Sequence, residues 1–267
     1  MKRNEIFILT LAGLVLTLGF CLIGCKNQSS DSKNSSFFEK GDHVIKNAVR
    51  DADGNTYDAV QLGDQLWMQQ DLINVGEHHV CRLASVENLS VIERENEPWF
   101  YVDPENPALF YNYIAVEEQR LKLCPEGWRI PTEDDWEVLE RYLLKKPEYR
   151  CGNSDTYIAK SLADSLYWKV YKRPKEDDRC NIAYNPFTTN NATGFSARGY
   201  GYCYSFSPDF GGDVRTLEVG ESARFWCKNR NEEGDPICIL FQLDSPLLEI
   251  ESVGKEYGCL IRCIKDK

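Results

Sequence analysis

The sequence predicts an α+β domain of short antiparallel strands and two helices, stabilised by disulfides. Three observations point there. Strand-like runs open and close the domain while the helical signals lie between them, the segregated order of α+β architecture. Neither βαβ alternation nor an internal repeat occurs, which argues against a doubly wound sheet. Eleven cysteines occur in a chain that opens with an export leader, and thiols that leave the cytosol become disulfides. At 267 residues there is chain enough for one large domain or two small ones. The 42% apolar and 12% aromatic content excludes wholesale disorder, and a net charge of −11 repels phosphate backbones, so no nucleic-acid partner is expected.

At the start, Lys2 and Arg3 precede an apolar run from Ile6 to Phe20, shorter than the roughly 20 residues that cross a bilayer. Residues 1–24 read as a signal peptide. The string Leu22-Ile23-Gly24-Cys25 resembles the bacterial lipobox, in which the chain is cut before the cysteine and the thiol is diacylated. Cys25 is then the lipid attachment site, and the lipid bilayer is a partner through it. Two or three acyl chains, at about 0.8 kcal/mol per buried methylene, anchor durably where one does not. The competing reading is an uncleaved anchor helix over Ile6 to Gly24. Residues 25–41, rich in Asn, Gln, Ser, Asp and Lys, make a flexible tether, and the folded domain spans residues 42–267. The expected location is the bacterial cell envelope, at the outer membrane, facing the periplasm or the outside.

Removing Cys21 with the leader and acylating Cys25 leaves nine of the cysteines for the domain, an odd number, so at least one thiol is unpaired or pairs between molecules. Reading Tyr257 to Lys265 as one strand puts Cys259 and Cys263 on the same face about 13 Å apart, at about 3.3 Å per residue, so each needs a different partner. No Cys-x-x-Cys occurs, and the histidines are His43, His78 and His79. The pattern favours structural disulfides over a metal site, and no metal or cofactor is expected.

Along the domain, Val49 to Met68 carries two turn signals, Asp53-Gly54-Asn55 and Gly63-Asp64, between short extended runs, which is a pair of hairpins. Asp51 to Asn55 crowds carboxylates beside a glycine, as calcium loops do. Here the glycine is fourth, not sixth, and Leu62 stands where a bidentate Glu belongs, so a plain turn is expected. Gly76 to Asn106, with His78, His79 and Cys81, reads as a charged solvated loop. Leu109 to Val116 is apolar and aromatic, suited to burial. After Cys124-Pro125-Glu126-Gly127-Trp128, Pro131 keeps Ile130 extended, Thr132 can cap, and Glu133, Asp134 and Asp135 favour the positive helix end. Trp136, Leu139 and Leu143 make one apolar stripe, and Pro147 ends the helix. Asp135 stands where Glu or Gln usually completes a capping box. A second helix is expected from Thr156 to Ser165, and strands over Ala223–Lys228, Ile237–Leu243 and Tyr257–Lys265, with turns at Asn229–Asp235 and Asp244–Pro246.

Four segments in this order resemble a known family: Asp53-Gly54-Asn55 through Leu62-Gly63-Asp64-Gln65-Leu66-Trp67-Met68; Cys124-Pro125-Glu126-Gly127-Trp128-Arg129-Ile130-Pro131-Thr132 with Trp136; Gly194-Phe195-Ser196-Ala197 with Phe225-Trp226; and Ile261-Arg262-Cys263-Ile264-Lys265-Asp266. Together they look like the Fibrobacter succinogenes major paralogous domain, found in exported bacterial proteins that are often lipoproteins. The resemblance implies a C-type-lectin-like fold whose first and last strands pair, and it makes Cys124 and Cys263, the cysteines inside its motifs, the expected disulfide. Arg198 to Tyr202 and Cys227-Lys228-Asn229 depart from the pattern, and the loop from Gly76 to Asn106 is enlarged.

The helix start Arg129 to Glu137 is also similar to that of the formylglycine-generating and sulfatase-modifying enzymes, which share this fold. Neither their copper-binding cysteine pair nor a histidine cluster is matched, so no catalytic residue is assigned. Gly194 to Gly199 departs from the nucleophile elbow in its second glycine and reads as a tight turn. The lectin calcium strings Glu-Pro-Asn and Trp-Asn-Asp have only Glu97-Pro98-Trp99 and Trp226-Cys227-Lys228-Asn229 near them. Trp99, Phe100, Tyr101, Tyr202 and Tyr204 are candidates to stack on a sugar or line a protein interface, although many aromatics must be core. The expectation is a non-enzymatic binding or structural module for a glycan or an envelope protein, with the sulfatase-modifying type of enzyme as the alternative.

Overall fold

The structure is a computed structural model that describes residues 44–74, 82–83, 96–118, 121–172, 175–184, 190–206 and 213–267. The expected signal peptide and tether, with Cys25, and His43, His78, His79 and Cys81 lie outside the described residues. Among the described residues no helix is long and apolar enough to cross a membrane.

The two expected hairpins open the domain. Strands β1 (Val44–Arg50), β2 (Thr56–Leu62) and β3 (Gln65–Met68) pair antiparallel, with Gly54 and Gly63 both at positive φ in the turns between them. At the first turn the Asp51 carboxylate accepts from the Asn55 N–H at 2.8 Å, the Asn55 amide at 2.9 Å and the Tyr57 hydroxyl at 2.6 Å. This is the plain turn, with the carboxylate's oxygens taken up by the chain itself.

The region read as a solvated loop holds more structure than expected. A short β4 (Arg82–Leu83) pairs parallel with β5 (Trp99–Val102), and β5 pairs antiparallel with β6 (Leu109–Asn112). Trp99 is fully buried. Helix α1 (Tyr113–Glu117) follows, capped by the Asn112 side chain, which accepts from the Ala115 N–H. Strand β7 (Trp128–Arg129) leads into α2 (Glu133–Leu144), the long helix the sequence announces, with Trp136, Leu139 and Leu143 buried. Asp135 does complete its N-terminus, accepting from the Thr132 N–H at 2.8 Å and hydroxyl at 2.9 Å.

The expected second helix shrinks to one turn, α3 (Ala159–Leu162). Beyond it Ala163 forms a parallel bridge to Ala197, and Asp164 donates its N–H to Ala197 O, so the chain exchanges helical bonds for sheet-like ones. All four helical residues are buried, the polar Lys160 and Ser161 among them, so no solvent-facing side marks its extent.

Strands β8 (Tyr202–Ser205), β9 (Val214–Leu217), β10 (Ser222–Arg230), β11 (Pro236–Gln242) and β12 (Leu248–Ser252) complete the antiparallel half. The closing stretch is not one strand. It splits into β13 (Tyr257–Cys259) and β14 (Ile264–Lys265), which belong to different sheets. Between them Leu260 docks on Phe225 by a parallel bridge, and Leu260 to Cys263 are all buried as the chain crosses from one sheet to the other. The resulting sheets are β1-β2-β3-β14-β7, β4-β5-β6-β13-β8-β9 and β10-β11-β12. The last strand therefore shares a sheet with the first but pairs with β3 and β7, not with β1.

Two apolar cores form around β10, which explains why its first six residues are all buried. By the pleat, Ala223, Phe225 and Cys227 enter one core with Trp67, Trp136, Phe195 and Phe241; Trp226 enters the other with Tyr111, Tyr113, Cys238 and Cys259. Arg262 is fully buried. Its guanidinium pairs with Asp71, donates to Phe195 O at 2.5 Å, and lies 4.6 and 5.3 Å from the Phe195 and Phe225 ring centres. Removing one partner of such a buried pair costs about 3–5 kcal/mol, because the other charge is stranded.

Among the described residues there are two disulfides, Cys124–Cys263 and Cys151–Cys180, with Cα separations of 6.0 and 5.5 Å. Cys203, Cys227, Cys238 and Cys259 are free and buried. Disulfides hold the domain, as expected, but fewer of the cysteines are paired than a full staple set would need.

Candidate functional site

The aromatic residues that the sequence offers for stacking are spent inside the molecule. Trp99 is core; Phe100 and Tyr101 are half-buried against the two cores. Tyr202 is already engaged twice, by the Arg224 guanidinium 4.1 Å from its centre and by Tyr257 stacked at 5.2 Å. Tyr204 packs edge-on against Tyr257 at 5.1 Å and Phe206 at 4.9 Å. Arg224 is held by Glu251 at 2.6 Å, Glu218 at 2.9 Å and the Ser222 hydroxyl at 2.9 Å. Desolvation and neighbouring hydroxyls and carboxylates push the Tyr257 hydroxyl up to about 12, so it stays protonated at neutral pH. This face is a closed network.

The Cys124 to Trp128 segment makes the opposite kind of surface. Gly127 sits at φ +73°, where a Cβ would approach Lys265 Nζ to 3.0 Å, and Trp128 donates its N–H to Pro125 O. The glycine is therefore required by the turn. The turn is stitched to the chain's tail by the Cys124–Cys263 disulfide, by the β7–β14 ladder, and by Lys265 lying 5.5 Å over the Trp128 ring. With about 139 residues closed by the disulfide, the constraint on the unfolded chain is worth roughly 4–5 kcal/mol.

That rigid segment forms one wall of a cleft of about 880 Å³. Its lining mixes apolar groups (Ala115, Val116, Leu123, Pro125, Trp128, Ile130) with Arg50, Asp51, Glu118, Lys122, Glu126, Arg129 and Lys228. Several of the charges are committed. Arg129 forks onto Asp135 at 2.5 and 2.8 Å and reaches Asp266 at 3.3 Å. Burial opposes the Asp135 charge, but the bonds from Arg129 and Thr132 outweigh it and hold the carboxyl below its usual range. Lys228 donates to Val116 O, and burial lowers its pKa. Arg50 and Lys122 are exposed and have no carboxylate within ion-pair reach among the described residues.

Of the residues singled out from the sequence, Cys124 and Cys263 are brought together, and Cys124 lines the cleft. Ser196 is not placed as a nucleophile. It sits at φ +61° in a tight turn, donating its N–H to Asn191 Oδ1 and accepting from Asn191 Nδ2, both at 2.8 Å. Trp136 is core and Thr132 is a cap, so the segment similar to the sulfatase-modifying enzymes serves as scaffold. Among the described residues no group of three or more His, Cys, Asp or Glu side chains is arranged to hold a metal. Sequence reading missed Arg50 and Lys122, which lie 72 positions apart; no local spacing connects them, and only the fold does.

The family model of the Fibrobacter succinogenes major domain matches residues 60–265. The chain belongs to that family. The match runs from β2 to the last strand and takes in the whole Cys124–Thr132 wall of the cleft. No curated protein and no solved structure is matched.

Proposed function

We propose that this member of the Fibrobacter succinogenes major domain family is a lipoprotein held on the bacterial envelope by an acylated Cys25. Its domain, C-type-lectin-like in fold, acts as a non-enzymatic binding module. The cleft beside the Cys124–Cys263 disulfide is the binding site. One observation carries this reading: a cleft braced by the Cys124–Cys263 disulfide whose lining joins apolar side chains to two exposed cations, Arg50 and Lys122, for which the described residues supply no carboxylate within ion-pair reach. A volume of about 880 Å³ falls in the usual range of ligand sites. Apolar lining with Arg50 and Lys122 exposed beside it suits an extended glycan or peptide segment that brings an acidic group to those two cations, away from the lining carboxylates Glu118 and Glu126.

The test is an array of acidic and neutral glycans and peptides probed with the full-length protein in detergent. Saturable binding that survives chelator and is lost in Ala52→Trp, where an exposed cleft residue is replaced by a bulky one, is the expected result. Absence of any saturable ligand on either array defeats the proposal. Intact mass of the membrane-extracted protein tests the anchor: a mass equal to the unmodified full-length chain removes the acylated Cys25.

A further inference from the structure

One face of the domain is out of keeping with an acidic molecule. Residues 166–175 hold three lysines, one arginine and no carboxylate, in a chain of net charge −11. Leu166 is 62% exposed, more than any other large apolar side chain among the described residues, and Tyr167, Val170 and Val219 stand out into solvent with it. The backbone gathers them. Lys169 donates its N–H to Gly220 O at 2.8 Å, which brings Val219 alongside Val170, and the Trp168 indole donates to Ala197 O at 3.1 Å. Gly199 passes so close that a Cβ there would meet Tyr167 O at 2.6 Å and the Trp168 ring at 2.9 Å. The carboxylates bordering the patch are mostly taken: Glu221 holds Lys169, Asp164 holds Arg198, Glu218 holds Arg224, and Asp178 accepts the Lys175 N–H at 3.0 Å, which leaves Asp244 near Tyr171. Lys172 and Lys175 are exposed and have no ion-pair partner among the described residues.

We propose that this face lies on the surface of an anionic bilayer, with Leu166, Tyr167, Val170 and Val219 entering the headgroup layer and Lys172 and Lys175 meeting its phosphates. The inference rests on the reading of Cys25 as an acylated anchor, which keeps a bilayer within reach of the domain. Eighteen residues separate Cys25 from Val44, a length that spans no more than about 65 Å even fully extended. The chain enters the domain near this face. A Cβ on Gly194 would lie 3.3 Å from Val44 Cγ2, and Gly194 stands three residues before Ala197, whose carbonyl holds Trp168. Aliphatic groups and tyrosine suit the interfacial layer, while lysine stems lie along it and carry their charge to the phosphates. Each cation near such a surface is worth about fivefold in binding. The negative charge on the rest of the molecule does not cancel this, because charges farther away than about 8–10 Å are screened, and its repulsion turns the domain with this face inward.

The experiment takes the full chain extracted from membranes, measures its intact mass, and reconstitutes it into phosphatidylcholine vesicles with and without phosphatidylglycerol. Lysines are briefly acetylated on each vesicle and in detergent, and the extent at each is read by peptide mass spectrometry. The expected result is that Lys172 and Lys175 react at least about fivefold more slowly, relative to Lys122 and Lys145, on the phosphatidylglycerol vesicles and not on phosphatidylcholine alone. Val170→Glu and, separately, Leu166→Glu, both at exposed positions, should abolish that slowing while tryptophan fluorescence still reports a folded domain; slowing retained in both overturns the proposal. Equal reactivity of the four lysines on the anionic vesicles, or equal slowing on both kinds of vesicle, also overturns it. So does slowing of Lys122 in place of Lys172, which would put the cleft on the membrane. Slowing already present in detergent and rising with protein concentration assigns the face to a second copy and likewise overturns it. The anchor fails separately: an unmodified full-length mass removes the acylated Cys25, whereas an acylated chain without selective slowing removes this inference alone.

Discussion

The tyrosine face over β8 and β13 and the cleft beside Cys124 draw on similar residue types, aromatics with arginines and carboxylates, and reach opposite states. On the tyrosine face every prominent group has found a partner within the chain. Arg224 holds Glu218 and Glu251 and covers Tyr202, and the rings then stack on one another. At the cleft the backbone is fixed by a disulfide and a ladder, so Arg50 and Lys122 are not called on to hold it. The lesson concerns composition: aromatic and charged residues mark a binding surface only where the fold has not already used them.

The comparison breaks most readily at Arg224. Arg224→Met keeps an apolar stem but deletes the guanidinium that lies on Tyr202, and with it the charge, leaving Glu218 and Glu251 repelling each other. Stranding a partner of a fully buried pair costs about 3–5 kcal/mol, and these carboxylates are roughly one-third exposed, so about 2–3 kcal/mol is expected. Urea unfolding monitored by tryptophan fluorescence measures it. A loss below about 0.5 kcal/mol would mean the face is not a closed network and is open to a ligand after all.

Lys160 sharpens the contrast with a cation that is buried yet has no carboxylate within ion-pair reach among the described residues. It is 3% exposed, and its ammonium donates to Arg179 O at 2.9 Å and Tyr184 O at 2.6 Å. Burial lowers its pKa from 10.5 to about 8. Between those values the unfolded chain binds more protons than the folded one, so this group's contribution makes the protein more stable as pH rises from about 8 toward 10.5. Buried thiols and tyrosines with raised pKa act in the opposite sense over much of that range, so the measurement is the wild-type minus Lys160→Met difference in urea stability. It should shift in favour of wild type by up to about 3 kcal/mol between pH 7 and 10. A difference that stays flat with pH would show that Lys160 is charged without penalty.

What was readable in the sequence was local. The hairpins at Gly54 and Gly63, the capped helix with its Trp136, Leu139 and Leu143 stripe, and the hairpin of β10 and β11 follow from turn chemistry and periodicity within about a dozen residues. Misread elements depend on distant partners. The split at Leu260 cannot be seen in Tyr257 to Lys265, because a segment crossing between two cores buries consecutive side chains as an internal strand does. The one-turn α3 ends where Ala197 pairs with it, 34 residues away from Ala163. The wall of the cleft was legible as a motif, Cys124 to Thr132, while the cations on its rim were not. Arg50 reads as the polar end of a strand and Lys122 as loop.

Lys122 has a further property that sets the smallest expected effect. It stands at φ +43°, a left-handed conformation that a residue with a Cβ adopts at a cost, on the exposed rim of the cleft. If its purpose were to support the fold, glycine would serve better. Lys122→Gly relieves the backbone while adding freedom to the unfolded chain, two effects of opposite sign, so stability should change by no more than about 1 kcal/mol in either direction. Arg50→Ala, on an exposed strand end without an ion-pair partner among the described residues, should fall within about 0.5 kcal/mol. Both variants should lose the ligand found on the arrays, since each removes a rim cation while leaving the Cys124–Cys263 wall in place. Thermal unfolding and ligand titration on the same samples separate the two properties. Unaltered affinity in both variants would move the recognition site away from this rim, and a large loss of stability would place these cations among the internally committed groups, as Arg224 is.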